Sequence, residues 1–148
     1  MTTSSKRAAK TLCEISGWSL TNLQIQKILY LANRAYLGRY NTPLIEEDFE
    51  AWDYGPVLPD IYRECNVFGN KPVWSAFFGV KPYENDEKRA LLEEAYEKLK
   101  NKTGGQLVSM THRDDGAWEK VYEPGAVGIK IPRSLIEEEY EQIHTAAE

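Results

Sequence analysis

Two histidines, two cysteines and a pair of adjacent aspartates carry the widest chemical repertoire in this chain. His112, followed by Asp114 and Asp115, offers a general base with a carboxylate to orient it. The same spacing suits a helix start, where an Asp side chain accepts backbone N–H groups as an N-cap. No Ser or Cys is placed by the sequence to be activated. His112 therefore reads as a structural residue whose hydrogen bond ties two helices, and a small hydrolase or transferase built on His112 and Asp115 is the enzymatic alternative. His112 and His144 lack further ligands at metal-binding spacing, so neither a metal nor another cofactor is expected. Cys13 and Cys65 have no Cys-x-x-Cys partner and read as reduced, buried, small hydrophobes. Without a nucleophile–base pair or a phosphate loop, the chain is expected to bind rather than catalyse.

Composition narrows the binding classes. The 148 residues form one expected domain, 1–148, with 42% apolar and 28% charged side chains, four Trp and nine Tyr. A net charge of −5 and scattered basic residues disfavour nucleic acid, which calls for a basic face to displace counterions. No apolar run reaches the roughly 20 residues that span a bilayer. The polar start, Met1-Thr-Thr-Ser-Ser-Lys-Arg7, lacks the apolar stretch of a signal peptide. The expectation is a cytoplasmic protein that meets other proteins.

The periodicity gives a mainly α fold, a compact bundle of six to seven helices with a two- or three-stranded β element. A first helix runs from about Ser5 to Ile15, stopped by Gly17. Thr21 caps a second, with Gln24 in capping-box spacing. This helix is apolar around most of its circumference through Leu23, Ile25, Ile28, Leu29, Tyr30, Leu31, Ala32, Tyr36 and Leu37, so it is expected at the centre. Its polar arc holds Gln26, Lys27, Asn33 and Arg34, and Gly38 is expected to end it. Phe49 to Tyr54 alternates like a short strand leading into a Gly55-Pro56 turn. Pro59 then suits the first turn of a third helix. Residues 70–85 read as a loop with an aromatic cluster. A charged helix follows from Asn85 or Asp86 to about Lys100, broken by Gly104-Gly105. Short helices follow at Gln106–His112 and after Asp114 or Asp115, through Trp118. Val127, Ile129 and Ile131 alternate like a strand that pairs with the segment from Phe49 to Trp52. Ser134 and Glu137 are placed for a second capping box on a last helix, whose acidic run Glu137 to Glu141 reads as a solvated face.

Aromatic side chains in turns and loops are the binding candidates, because large rigid rings dominate interface hot spots. Trp52 and Tyr54 fall on one strand face and should share a fate, as packed residues or as anchors. Pro56 and Tyr62 flank them. Trp74, Phe77 and Phe78 lie in the second aromatic stretch. These seven are the expected partner-binding residues.

Three segments carry a family resemblance. Leu23-Gln-Ile-Gln-Lys-Ile-Leu-Tyr-Leu-Ala32, Glu50-Ala-Trp-Asp-Tyr-Gly-Pro-Val57 with Tyr62, and Met110-Thr-His112 with Trp118 resemble, in order and approximate spacing, the motifs of the Panacea domain family. That family is also described as SocA-like or GepA phage-associated. The resemblance implies an antitoxin of a bacterial or phage toxin–antitoxin pair, binding and neutralising a cognate toxin. One branch is linked instead to delivering a bound toxin to a host protease, so an adaptor or inhibitor acting on a host protein is the alternative. Leu23, Gln26, Lys27, Leu29, Tyr30, Gly55, His112 and Trp118 would then be motif residues of structural role. Some relatives add a DNA-binding helix-turn-helix region. Here the motif helix begins about twenty residues in, and no such module is expected.

Overall fold

The computed structural model describes residues 2–146. Among them the chain forms seven α-helices, a 3-10 turn at Asn66–Phe68 and a two-stranded antiparallel sheet around one contiguous core. No helix among the described residues is long and apolar enough to cross a membrane.

Helix α1 (Ser4–Ile15) starts at Thr3, whose hydroxyl accepts the Lys6 N–H, and buries Ala8, Ala9 and Leu12 completely. Helix α2 (Asn22–Tyr40) opens with the expected capping box. Thr21 Oγ1 accepts from Gln24 N, and Gln24 Oε1 accepts from Thr21 N at 2.9 Å. Packed by α1, β2 and four further helices, α2 is the axle of the fold. It runs through Gly38 and ends at Tyr40, with Asn41 in the left-handed conformation. Gly38 is needed for packing rather than termination, since a Cβ there would stand 2.3 Å from the Tyr140 ring.

The expected polar arc of α2 is corrected most. Gln26, Lys27 and Asn33 are buried at 2%, 0% and 3% exposure. Each one bonds backbone that arrives from elsewhere in the chain. Asn33 Oδ1 accepts from Ile45 N at 3.0 Å, Gln26 Oε1 accepts from Leu58 N at 2.8 Å, and Lys27 Nζ donates to Pro56 O at 3.0 Å. Buried polar groups of this kind are tolerated because they are paired.

Strands β1 (Glu50–Trp52) and β2 (Gly55–Val57) pair with Ala51 opposite Pro56. The turn is Asp53-Tyr54 rather than the expected Gly55-Pro56, which sits inside β2. Gly55 carries the positive φ of 112° that lets the chain leave this turn. The expected third strand arrives as a bridge. Ala51 N donates to Ile129 O, and Ile131 N donates to Phe49 O, both at 2.8 Å.

Helix α3 (Pro59–Cys65) has proline at its start, as expected. The loop that follows is stapled on both sides, by Val73 N to Leu20 O at 2.8 Å and by Phe77 N to Glu64 Oε2 at 3.0 Å. Helix α4 (Glu87–Leu99) is capped by Asp86. The glycines expected to break the chain instead open α5 (Gly104–Thr111), under a capping box of Thr103 and Gln106 that the sequence reading missed. Gly116 precedes α6 (Ala117–Val121), where an aspartate cap was expected. Helix α7 (Arg133–Ala146) starts one residue before Ser134, so that side chain lies inside the first turn instead of capping it.

Its acidic run is not one solvated face. Glu139 is 1% exposed and accepts from Tyr30 Oη and Arg34 Nη1 of α2 and from Ala117 N of α6. That carboxylate joins three helices. It also explains Gly116, where a Cβ would meet Glu139 Oε1 at 2.5 Å.

Candidate interaction site

Gln26 and Lys27 come from one motif segment and Gly55-Pro56 from another, and the fold makes them a single joint. The outer edge of β2 lies along α2, where Gln26 bonds both the N–H and the carbonyl of Leu58 while Lys27 takes the Pro56 carbonyl. These side chains do what a neighbouring strand would do. Pro56 supplies no N–H that would need a partner. The third motif closes on the same point. A Cβ on Gly55 would stand 2.9 Å from Thr111 Oγ1, 3.0 Å from Lys27 Nζ and 3.2 Å from His112 Nε2, so only glycine fits.

The electrostatics of this joint are unusual. Among the described residues Lys27 enters no ion pair, and burial lowers its pKa to about 7. His112 is held below the ordinary imidazole range, first by burial and second by the Lys27 charge, with the main chain of Tyr54 pulling the other way. Its ring stacks on Trp118 at 3.7 Å and 6°, and Trp118 stacks on Tyr122 at 4.4 Å. Trp118 Nε1 donates to Trp52 O at 2.7 Å, which fastens α6 to the hairpin.

His112 therefore joins elements by stacking. The expected hydrogen bond between helices is not what holds it: among the described residues its buried Nε2 has no partner, and the ring's contact with the Tyr54 main chain reaches the hairpin rather than a helix. Asp114 and Asp115 are exposed, Asp115 at a φ of 58°, and no hydrogen bond joins either to His112. The His112–Asp115 dyad of the enzymatic alternative is not assembled. Cys13 and Cys65 are buried and free, and burial pushes both thiols up to about 12, away from nucleophilic use.

Beside the joint lies a groove of about 910 Å³, between the start of α2, the hairpin, the end of α3, the start of α5 and the loop at 125–128. Its lining is mostly apolar. Trp52, Tyr54 and Tyr62 of the expected partner-binding set line it, as do Leu23, Gln26 and Lys27 of the motif residues. The two aromatics of the hairpin do not share a fate, because Trp52 ends β1 while Tyr54 stands in the turn itself. Trp52 is half-buried against Tyr62, with ring centroids 4.9 Å apart, while Tyr54 is 72% exposed. Pro56 is buried under Lys27 and offers no contact surface.

The second aromatic stretch divides as well. Phe77, expected at the interface, is 1% exposed, at a φ of 61° that turns its ring into the core. Trp74 and Phe78 are exposed at 72% and 84% and do not line the groove. Trp74 leans on Phe68 at 5.6 Å. Leu29 and Tyr30 are core, Tyr30 meeting Phe49 edge-on at 5.3 Å.

Val127, the most exposed large apolar residue among the described residues, alternates like a strand in the sequence, yet it stands at the groove rim. The flanking Gly125 and Gly128, both at positive φ, are the sequence signal that 125–128 is a projecting turn. Glu50 and Asp53, also in the lining, belong to the alternating segment from Phe49 to Tyr54, where the sequence assigns them no role of their own.

A family model described as "Antitoxin SocA-like, Panacea domain" matches residues 25–119, from α2 through the hairpin to α6. Antitoxin SocA of Caulobacter vibrioides (strain NA1000 / CB15N) is 27% identical over 135 residues, covering 82% of this chain and 72% of that relative. No solved structure matches the chain significantly. The matched span contains the joint of Gln26, Lys27, Gly55 and His112 with its Trp118 lid, and the chain belongs to the SocA-like, Panacea-domain family of antitoxins.

Proposed function

We propose that this chain is the antitoxin of a toxin–antitoxin pair and neutralises its cognate toxin in the cytoplasm by direct protein–protein binding, without catalysis of its own. The observation that carries this reading is the groove, an apolar concavity in an antitoxin-family domain whose rim leaves Leu23, Tyr54 and Val127 in water. Exposed apolar groups gathered at one concavity mark interaction sites. Tyr54 and Trp52 supply rings of the type enriched at hot spots. The test is to express the adjacent open reading frames singly and then with this chain. One neighbour is expected to arrest growth alone, lose its effect in co-expression and co-purify with the chain in fixed stoichiometry. Neighbours that are all harmless alone would remove the main support.

Trp74 and Phe78 favour a second reading, because they are exposed away from the groove. In that reading the chain is an adaptor, holding the toxin in the groove and offering the Trp74–Phe78 face to a host protease or another host protein. A Trp74→Ala, Phe78→Ala double variant separates the two. In an adaptor it retains toxin binding and loses toxin turnover in cells. In a blocking antitoxin with this loop at the interface, it loses more than about 1 kcal/mol of toxin affinity, the usual hot-spot threshold.

A further inference from the structure

The groove has a charge as well as a shape. The titratable side chains in its lining are Lys27, Glu50, Asp53, Tyr54 and Tyr62. Lys27 is fully buried with its ammonium on the Pro56 carbonyl, so it presents no cation to an incoming group. Glu50 accepts from Trp52 Nε1 at 3.0 Å and Asp53 accepts from the Tyr122 hydroxyl. Each carboxylate has acceptor sites beyond that single bond. Nine ion pairs form among the described residues, and neither Glu50 nor Asp53 is in one of them. The groove mouth is therefore apolar with two carboxylates lacking cationic partners, on a chain of net charge −5.

The sheet beside it excludes one mode of docking. The outer edge of β2 is taken by Gln26 and Lys27, and the outer edge of β1 by Ile129 and Ile131. No strand edge is open for a partner strand to extend this sheet. Recognition must come from side chains entering the concavity, the arrangement in which an amphipathic helix lays its apolar stripe in a groove.

We infer that the groove takes a helix of the partner whose apolar stripe is flanked by Arg or Lys. The apolar residues pack against Leu23, Tyr54 and Val127, and the cation sits on Asp53 and Glu50. A guanidinium suits this best, since it meets a carboxylate with two parallel N–H groups. This inference rests on the antitoxin reading for the partner's biological identity. Its chemistry is tested without the toxin.

The probe is a synthetic amphipathic Leu–Lys peptide of about 18 residues, above the length at which isolated helices become marginal, with a Leu–Glu counterpart. Each is titrated into the isotope-labelled full chain and followed through backbone amide shifts. The Leu–Lys peptide is expected to give saturable shifts at Leu23, Tyr54 and Val127, weakening steeply with added salt. Asp53→Lys with Glu50→Lys should weaken it at least tenfold and admit the Leu–Glu peptide to the same amides. Shifts centred elsewhere, equal binding of both peptides by the parent, or no saturable binding would overturn the inference. Neutralisation in co-expression reports on the antitoxin reading separately. A chain that neutralises a toxin but fails the peptide test remains an antitoxin with a different groove partner.

Discussion

Replacing Lys27 by Met should stabilise this protein near neutral pH, although it removes a motif residue. The Lys27 ammonium is fully buried, with one carbonyl acceptor at 3.0 Å and no ion pair among the described residues. Burial lowers its pKa from the ordinary 10.5 to about 7. From about pH 7 to about pH 10.5 the unfolded chain holds a proton that the folded chain has released. Stability therefore rises with pH across that window, and the cost of the buried charge is fully present below it. At 1.36 kcal/mol per unit this cost is at most about 5 kcal/mol. Met matches the length of the stem but leaves the Pro56 carbonyl without its donor, a loss of about 1–3 kcal/mol. At pH 6 the variant should thus be the more stable, by up to about 2–4 kcal/mol. Near pH 10 the sign should reverse, because the parent then keeps its hydrogen bond without the charge. The His112 pKa should also rise, since the Lys27 charge helps to depress it. Urea denaturation at both pH values and a His112 ring titration by NMR measure these quantities. A stability difference between variant and parent that is the same at pH 6 and pH 10 would refute the reasoning.

Other perturbations probe the scaffold. Ile28→Ala or Leu29→Ala, at sites 1% and 0% exposed, should cost about 2–5 kcal/mol through lost burial and cavity formation. A melting temperature equal to that of the parent would show that α2 is not central. Glu139→Ala strips the acceptor from Tyr30, Arg34 and Ala117 together and should cost about 3–5 kcal/mol, as removing one side of a buried pair does. Chemical denaturation measures it, and a loss below about 1 kcal/mol would mean that water replaces the carboxylate easily. Gly55→Ala puts a methyl at a φ of 112°, within 3.2 Å of three polar atoms, so backbone strain alone should cost about 1–3 kcal/mol. Hydrogen exchange should show the loss first in β2, and unchanged protection there would contradict the joint.

The sequence disclosed what is local. The capping box of Thr21 and Gln24 and the proline at the start of α3 each depend on residues within one turn and are present as read, and of the two candidate starts Asn85 and Asp86 it is Asp86 that caps α4. The misreadings depend on distant residues. Gln26 and Lys27 look solvated until Pro56 and Leu58, about thirty positions away, are laid beside them. Glu139 reads as one more exposed glutamate until Tyr30, 109 positions upstream, supplies its donor. Gly38 reads as a stop because helical period carries no information about Tyr140 crossing over it. Gly55-Pro56 is a sound turn signal by composition, yet its two features serve other ends. The glycine makes room for His112 and Lys27, and the proline removes a donor from a strand edge covered by side chains. Of the candidate site, Trp52, Tyr54 and Tyr62 were legible as aromatics near a turn. Val127 and the carboxylates were not, because the groove exists only where five distant segments meet.

This separation bears on how one domain could serve different partners. The motif residues are occupied with one another. Gln26 and Lys27 hold β2, Gly55 admits His112, His112 stacks on Trp118, and Trp118 holds the Trp52 carbonyl. Side chains committed in this way fix the shape of the groove wall and have little surface left to offer a partner. The side chains that do face outward, Leu23, Asp53, Tyr54 and Val127, stand at a first helical turn, a hairpin turn and a loop. Substitution at such places seldom costs fold stability by more than about 0.5 kcal/mol. On the proposed reading the motif builds the frame and the rim supplies the contact chemistry, so a change of partner should require changes at the rim alone. Exchanging Leu23, Asp53, Tyr54 and Val127 for the residues of another family member should transfer toxin preference at nearly constant melting temperature.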